Sequence, residues 1–310
     1  MNAMADPGTA SFTRRLDALA EQLQTLPDKP EETAASTLRA LWHLAAGRPL
    51  SVAAAEEAPL PVLDAAAESR LQALVEKRLA GVPLAHLSGR QRFMGLEMRV
   101  GPEALIPRLE TELLARTALA LLLDAAMPGT PRVLDICTGC GNLALALAHH
   151  APQAKVHAAD LSADAVALAG LNAAQLGLAG RVDWRSGDLL APFDEPTFHH
   201  EIDLLVCNPP YISSKKVESM SDEISLHEPR LAFDGGALGI GVLNRLVREA
   251  PRFLKPGGWL AVEVGLGQAT AVAKRLQSGG RYARVAVVPD AHGEGRVVTA
   301  QCTGADGSMA

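Results

Sequence analysis

Four cysteines in 310 residues, Cys137, Cys140, Cys207 and Cys302, are too few for a disulfide framework. No run of about 18 uncharged apolar residues exists, so no membrane-spanning helix is expected. Positive charge is also short. The chain has 29 Lys and Arg against 35 Asp and Glu, a net charge of −6, and a pI near 5.9. Affinity for phosphate backbones comes chiefly from clustered Lys and Arg, so direct nucleic-acid binding is not expected. The N-terminal stretch lacks the basic-then-apolar layout of a signal peptide, which makes the cytoplasm the expected address. Cys137-x-x-Cys140 has no second Cys/His pair with ligand spacing, and no H-E-x-x-H pattern occurs. A zinc site needs four ligands, so no metal is expected. Internal repeats are absent too.

What is present is an ordinary globular composition, 48% hydrophobic and 21% charged. A chain of about 300 residues buries roughly 75% of its extended surface and needs no covalent staple. Residues 12–82 read as a small helical domain. Leu16, Leu19, Leu23 and Leu26 share one helix face; Leu38, Leu41, Trp42 and Ala45 share a second; Leu71, Leu74, Val75 and Leu79 a third. Asp28 with Glu31 has the shape of a capping box, and Gly47-x-Pro49 and Gly81-x-Pro83 act as stops. Residues 51–61, rich in Ala, Glu and Pro, are expected to be a loop. Residues 83–110 suggest a connector with a short hairpin, Phe93, Leu96, Met98 and Val100 flanking a turn at Gly95. Residues 1–11 and 303–310 offer no apolar periodicity and are expected to be tails.

Residues 111–302 alternate between strand and helix. Apolar runs at 133–136, 156–159, 182–184, 204–207, 260–264, 285–288 and 297–300 are separated mostly by helical stretches. That order predicts an α/β domain with a mainly parallel sheet covered by helices on both faces. The last two runs are linked too tightly for a crossover helix and should pair antiparallel.

The first run ends in Asp135-Ile136-Cys137-Thr138-Gly139-Cys140-Gly141-Asn142. Gly139 and Gly141 would let backbone approach a ligand at the start of a helix, and Asp160, closing the second run, could accept both hydroxyls of a ribose. The pair indicates a nucleoside-containing cofactor without saying which, and Gly139-x-Gly141-x-x-Ala144 also fits a dinucleotide fingerprint.

The fourth run is followed by Asn208-Pro209-Pro210-Tyr211. Consecutive prolines stiffen a loop at the carboxyl end of the sheet, where open α/β folds hold their ligands. The Asn208 side-chain carbonyl and the Pro209 backbone carbonyl could together accept both hydrogens of a planar NH₂ group, with Tyr211 as an aromatic wall. An amide lone pair is delocalised and weakly nucleophilic. Fixing its hydrogens aims it at an electrophilic methyl, and alignment of this kind can supply several kcal/mol. A nucleoside loop, a ribose acid and this tetrapeptide together point to S-adenosyl-L-methionine-dependent methylation of nitrogen.

With these motifs, residues 70–300 resemble the protein-(glutamine-N5) methyltransferases, which modify the Gly-Gly-Gln loop of peptide release factors; a close relative modifies a ribosomal protein. The matching pieces are Pro83-Leu84-Ala85, Phe93-x-Gly95-Leu96, Leu105-Ile106-Pro107-Arg108-x-Glu110-Thr111-Glu112, the glycine loop, Asp160, Asn208-Pro209-Pro210-Tyr211 and residues 228–236. The resemblance implies a Rossmann-like, seven-stranded class I methyltransferase domain behind a helical substrate-recognition domain. It implies S-adenosyl-L-methionine held by Thr138, Gly139, Gly141, Asp160, Asp188, Leu189 and Asn208, with Asn208, Pro209 and Tyr211 catalytic. The implied partner is a release factor, or alternatively a ribosomal protein. Glu228-Pro229-Arg230 and Asp234-Gly235-Gly236 are expected to shape the site rather than react. Leu109, His86, Cys140 and Asn142 depart from the family's usual residues. The other readings open to the sequence are N-methylation of a nucleic-acid base or a small molecule, a nicotinamide oxidoreductase, and a non-catalytic cofactor-binding protein.

Overall fold

The computed structural model describes residues 7–26, 29–123 and 129–303. Two units separate, Met1–Pro102 with Ser221–His227, and Glu103–Met220 with Glu228–Ala310.

The first unit is built on the helices Pro7–Ala20, Ala34–Ala45, Val52–Glu57, Ala65–Leu79 and Leu84–Ser88. Leu19, Leu38, Leu41, Trp42, Leu71 and Leu84 form its core, with Leu16, Leu23, Leu74 and Leu79 packed against them. The helix at Ala34 opens on Thr33, whose hydroxyl accepts the Ser36 N–H; Asp28 of the expected capping box lies outside the described residues. Residues 51–61 differ from expectation, because Val52–Glu57 is helical. Ser51 caps it by accepting the Ala54 N–H, three successive alanines favour the helix, and Val52 and Ala55 bury the inner face. Residues 7–11, expected in a tail, begin the first helix, while 1–6 and 304–310 lie outside the described residues.

Strands β1 (Arg90–Phe93) and β2 (Leu96–Arg99) pair antiparallel around Met94-Gly95, both with positive φ as a two-residue turn requires. The hairpin is no free connector. The Glu97 carboxylate accepts both the backbone N–H and the hydroxyl of Ser51 at 2.7 Å. The unit boundary therefore falls at 102/103, inside the stretch read as a linker. Buried pairs of Arg78 with Glu32 (3.0 Å) and of Glu223 with Lys29 (2.7 Å) and Arg78 (2.8 Å) hold residues 221–227 in the same unit.

The second unit is a seven-stranded sheet of β3 (Arg132–Ile136), β4 (Lys155–Asp160), β5 (Val182–Ser186), β6 (Ile202–Cys207), β7 (Leu254–Glu263), β8 (Tyr282–Pro289) and β9 (Gly295–Cys302) in the order β5-β4-β3-β6-β7-β9-β8. The first five are mutually parallel, and β9 runs antiparallel to both β7 and β8. This is the Rossmann-like class I arrangement. Strands buried on both faces explain the unbroken apolar runs, with Leu134, Ile136, Leu205, Leu260, Val262 and Val298 in the core. Strand order reverses between β3 and β6, the switch point at which a doubly wound sheet opens a crevice. No described helix is long and apolar enough to cross a membrane.

Candidate active site

The paired register of Ile136 with Cys207 brings the loops leaving β3 and β6 side by side at the carboxyl edge of the sheet. Asp135, fully buried near the end of β3, organises the first of them. Its Oδ2 accepts the Thr138 hydroxyl at 2.6 Å and the Ala144 N–H at 3.0 Å, wrapping residues 137–144 around one carboxyl. Burial pushes its pKa up to about 7, against the opposing pull of those two bonds.

Gly141 begins the helix Asn142–His150 with φ of 84°. A Cβ there would stand 2.8 Å from the Trp184 ring and 2.9 Å from Ala169 Cβ. Gly141→Ala is therefore expected to destabilise the fold by about 2–4 kcal/mol, left-handed strain adding to overpacking. The drop would appear as a lower urea midpoint at unchanged m-value.

Asp160 ends β4. Its Oδ2 accepts the Gly139 N–H at 2.8 Å and its Oδ1 the Ser162 N–H at 2.9 Å, so backbone on both sides fixes the carboxylate plane. Burial raises its pKa, and these amide bonds pull it down again. Beside it opens a cavity of about 170 Å³. Thr138, Gly139, Asp160, Asp188, Leu189 and Asn208 all line this cavity, together with Thr111, Arg108, Asn142 and Pro210. Asp188 is held at the rim by Arg245, Oδ2 to Nη2 at 2.9 Å.

Three of the residues expected at the site stand off the wall. Gly141 serves packing, as above. Pro209 is buried. Tyr211 is not among the residues lining the cavity; its hydroxyl donates to Glu263 Oε1 at 3.1 Å, and burial pushes the phenol well above its ordinary pKa.

The loop after the tetrapeptide closes on it. Gly239 has φ of 68°, and a Cβ there would lie 2.4 Å from the Tyr211 carbonyl oxygen, so only glycine allows this approach. Asp234 accepts the Ser214 hydroxyl at 2.6 Å and the Gly236 N–H at 3.0 Å. Glu228 has a fully buried side chain; it accepts the Ile106 N–H at 2.9 Å and the Arg108 guanidinium, while Pro229, Leu231 and Ala232 reach the cavity. Glu228 and Asp234 are thus committed to loop structure.

Cys140 is buried, its thiol directed at Asn142 Oδ1 at 3.9 Å and pushed by burial up to about 12. A thiol so far from ionisation is a packing group. Among the described residues no three His, Cys, Asp or Glu side chains are grouped to hold a metal.

Residues 115–240 match the family described as Methyltransferase small domain. Over 255 residues the chain is 39% identical to a release factor glutamine methyltransferase of Moorella thermoacetica, covering 82% of this chain and 86% of that one. The chain belongs to the release factor glutamine methyltransferase family. It is also 37% identical over 271 residues to the protein so named in Cereibacter sphaeroides, with 87% and 92% of the two chains covered. A third, from Xylella fastidiosa, is 40% identical over 245 residues, covering 79% and 85%.

For a methyltransferase of this family the cofactor is S-adenosyl-L-methionine, and the residues present suit it. Each Asp160 oxygen spends one lone pair on backbone and keeps another for a hydroxyl. Leu143, Leu161 and Leu189 supply apolar walls for a flat base.

The sequence singled out neither Thr111, Glu263 and Arg296 nor Asp135 as functional positions. Asn208 Nδ2 donates to Thr111 Oγ1 at 3.1 Å. Glu263 and Arg296 lie behind Tyr211. The available signal was an acidic residue inside the apolar run 260–264, since a carboxyl on a doubly buried strand needs partners.

Proposed function

We propose that this chain transfers a methyl group from S-adenosyl-L-methionine to the side-chain amide nitrogen of the glutamine in the Gly-Gly-Gln loop of peptide release factors, in the cytoplasm. The observation that carries the reading is Asn208, anchored through Nδ2 on Thr111 and standing on the wall of the cavity that Asp160 also lines.

The cofactor supplies an electrophilic methyl group. Asp160 would accept its ribose hydroxyls, Thr138 and Gly139 would hold it along the glycine loop, and Asp188 and Leu189 would flank its adenine. Asn208 Oδ1 would accept one hydrogen of the glutamine amide and the backbone carbonyl of Pro209, whose ring is buried, the other, holding the amide plane for attack on the methyl. Such alignment removes orientational freedom that would otherwise be lost at the transition state. No side chain need act as a strong base, since the nitrogen sheds its proton once it has become cationic. Tyr211 contributes by anchoring the loop through Glu263.

The helical unit, with its hairpin, is proposed as the part that recognises the protein substrate, while Leu231 offers an apolar contact at the cavity.

The test is transfer of labelled methyl to purified release factor, beside a factor lacking the Gly-Gly-Gln glutamine. Label on the wild-type factor alone is expected. Label on a ribosomal protein instead would reassign the substrate, and label on RNA would overturn the reading.

A further inference from the structure

Large apolar side chains exposed singly are ordinary; they become informative when they gather beside a site. In the second unit Leu109, Leu161, Leu231, Leu238 and Leu266 are exposed, and all five lie on loops at the carboxyl edge of the sheet. Leu161 and Leu231 line the cavity. Leu238 and Leu266 stand outside it and, at 78% and 67% exposure, are the most exposed of the five.

Neither leucine sits on backbone that can fold it inward. Gly239, next to Leu238, lies against the Tyr211 carbonyl, and Gly235 of the same loop would place a Cβ 2.5 Å from the Pro210 carbonyl oxygen. The Gly239 and Gly241 N–H groups donate to the Gly236 and Gly235 carbonyls at 3.0 and 2.9 Å. Gly265, next to Leu266, would place a Cβ 3.1 Å from the Tyr211 ring. Gln268 ties that second loop down: its Oε1 accepts the Gly265 N–H at 2.9 Å, and its Nε2 donates to the Tyr211 carbonyl at 3.0 Å. One carbonyl, three residues after Asn208, thus meets both loops, and each holds its leucine out in water beside the tetrapeptide.

The occupant follows from reach. A glutamine side chain extends only about 5 Å from its Cα. A glutamine whose amide is held at Asn208 therefore brings its own backbone to the mouth of the cavity. Its two glycine neighbours have no side chain to bury, so a Gly-Gly-Gln loop gains apolar contact only through the residues that flank it.

We propose that Leu238 and Leu266 form a docking surface of the catalytic unit for the protein substrate, taking up apolar side chains that flank the Gly-Gly-Gln loop of the release factor. The inference rests on the reading of Asn208 as the holder of the amide and of the release factor as substrate. Both leucines lie outside the cavity and carry no polar group, so they act on capture of the protein and not on the methyl-transfer step.

The experiment uses the full chain with S-adenosyl-L-methionine and purified release factor. Leu238→Ser and Leu266→Ser are each expected to raise the KM for release factor about 5- to 20-fold, through loss of buried apolar area. The kcat at saturating factor and the Kd for S-adenosyl-L-methionine should change less than about twofold. Leu238→Met and Leu266→Met keep an apolar side chain and are expected to stay within about threefold of wild type. Leu171→Ser, at an exposed leucine on the helix Ala163–Gln175, is expected to leave the KM unchanged.

Wild-type KM in both serine variants, or an equal rise in Leu171→Ser, would overturn the proposal. So would a fall in kcat at unchanged KM, which would give the loops to the chemical step. If the wild-type enzyme self-associates in sedimentation, and the serine variants lose that association while keeping wild-type KM, the face belongs to a second copy of this chain and the proposal fails. A wild-type enzyme that leaves release factor unlabelled would sink the substrate reading itself. Label on the factor with unaltered KM in the variants would remove the docking surface alone.

Discussion

Asn208→Ala is expected to lower turnover by about 10²–10³-fold while leaving the affinity for S-adenosyl-L-methionine within about tenfold. The asymmetry follows from position. Asn208 borders the cavity but makes no bond to the glycine loop or to Asp160, which are organised by Asp135 and by their own backbone. Removing its side chain leaves the cofactor's ribose acid and backbone donors intact. What is lost is the acceptor that holds one amide hydrogen, and with it the alignment of a weakly nucleophilic nitrogen. The Pro209 carbonyl remains, so residual activity is expected rather than none. Single-turnover methyl transfer at saturating cofactor separates the two effects, because it reads the chemical step without product release. An alanine variant with wild-type single-turnover rate would remove Asn208 from the reaction.

Asn208→Asp is informative beside it. An aspartate keeps an acceptor toward the cavity but has no NH₂ to give to Thr111, and it brings a charge into a largely enclosed wall. It is expected to fall near the alanine variant, which a role limited to accepting one hydrogen bond would not require.

Much of this site was legible in the sequence because the functional groups sit where backbone topology puts them. A glycine loop after the first parallel strand, an acid closing the second and a polar turn after the fourth must converge at the carboxyl edge once the strand order reverses. Gly139, Asp160 and Asn208, placed by those three features, all line the one cavity; Thr138, Asp188 and Leu189, which line it too, were implied by the family resemblance. Tyr211 does not line the cavity, and a linear motif does not tell what its hydroxyl will bond. Its hydroxyl had a buried carboxylate to reach, and Glu263 and Arg296 come from distant strands that only the folded sheet brings together. Residues 51–61 were obscured for a different reason: Pro and Glu mask a short helix whose stability comes from the Ser51 cap and from burying Val52 and Ala55. The hairpin at 90–99 had clear turn chemistry, yet its membership in the first unit depends on Glu97 reaching Ser51, a long-range bond that no periodicity reveals.

Asp160→Ala is expected to weaken S-adenosyl-L-methionine binding by about 10²-fold or more, since hydrogen bonds to a charged acceptor are worth about 1.5–3 kcal/mol each. Two losses combine. The ribose hydroxyls lose their acceptor, and the Gly139 and Ser162 amides lose the carboxylate that fixes the glycine loop against the end of β4. The second loss makes Asp160→Asn unlike a conservative change. Both carboxylate oxygens accept from backbone donors, so whichever way an asparagine turns, its NH₂ meets an N–H. The asparagine variant is therefore expected to lie within about tenfold of the alanine variant rather than near wild type. Acidity supplies an independent check. Burial raises the Asp160 pKa, so the carboxylate protonates on acidification before exposed aspartates do. Cofactor affinity should be full above that raised pKa and fall as pH drops through it, and the fall should be absent in Asp160→Ala. Calorimetric titration with S-adenosyl-L-methionine across pH reads both effects. An alanine variant with wild-type affinity would move the ribose away from Asp160, whereas a variant that binds weakly yet turns over normally at saturating cofactor would confine Asp160 to binding and leave the chemistry with Asn208.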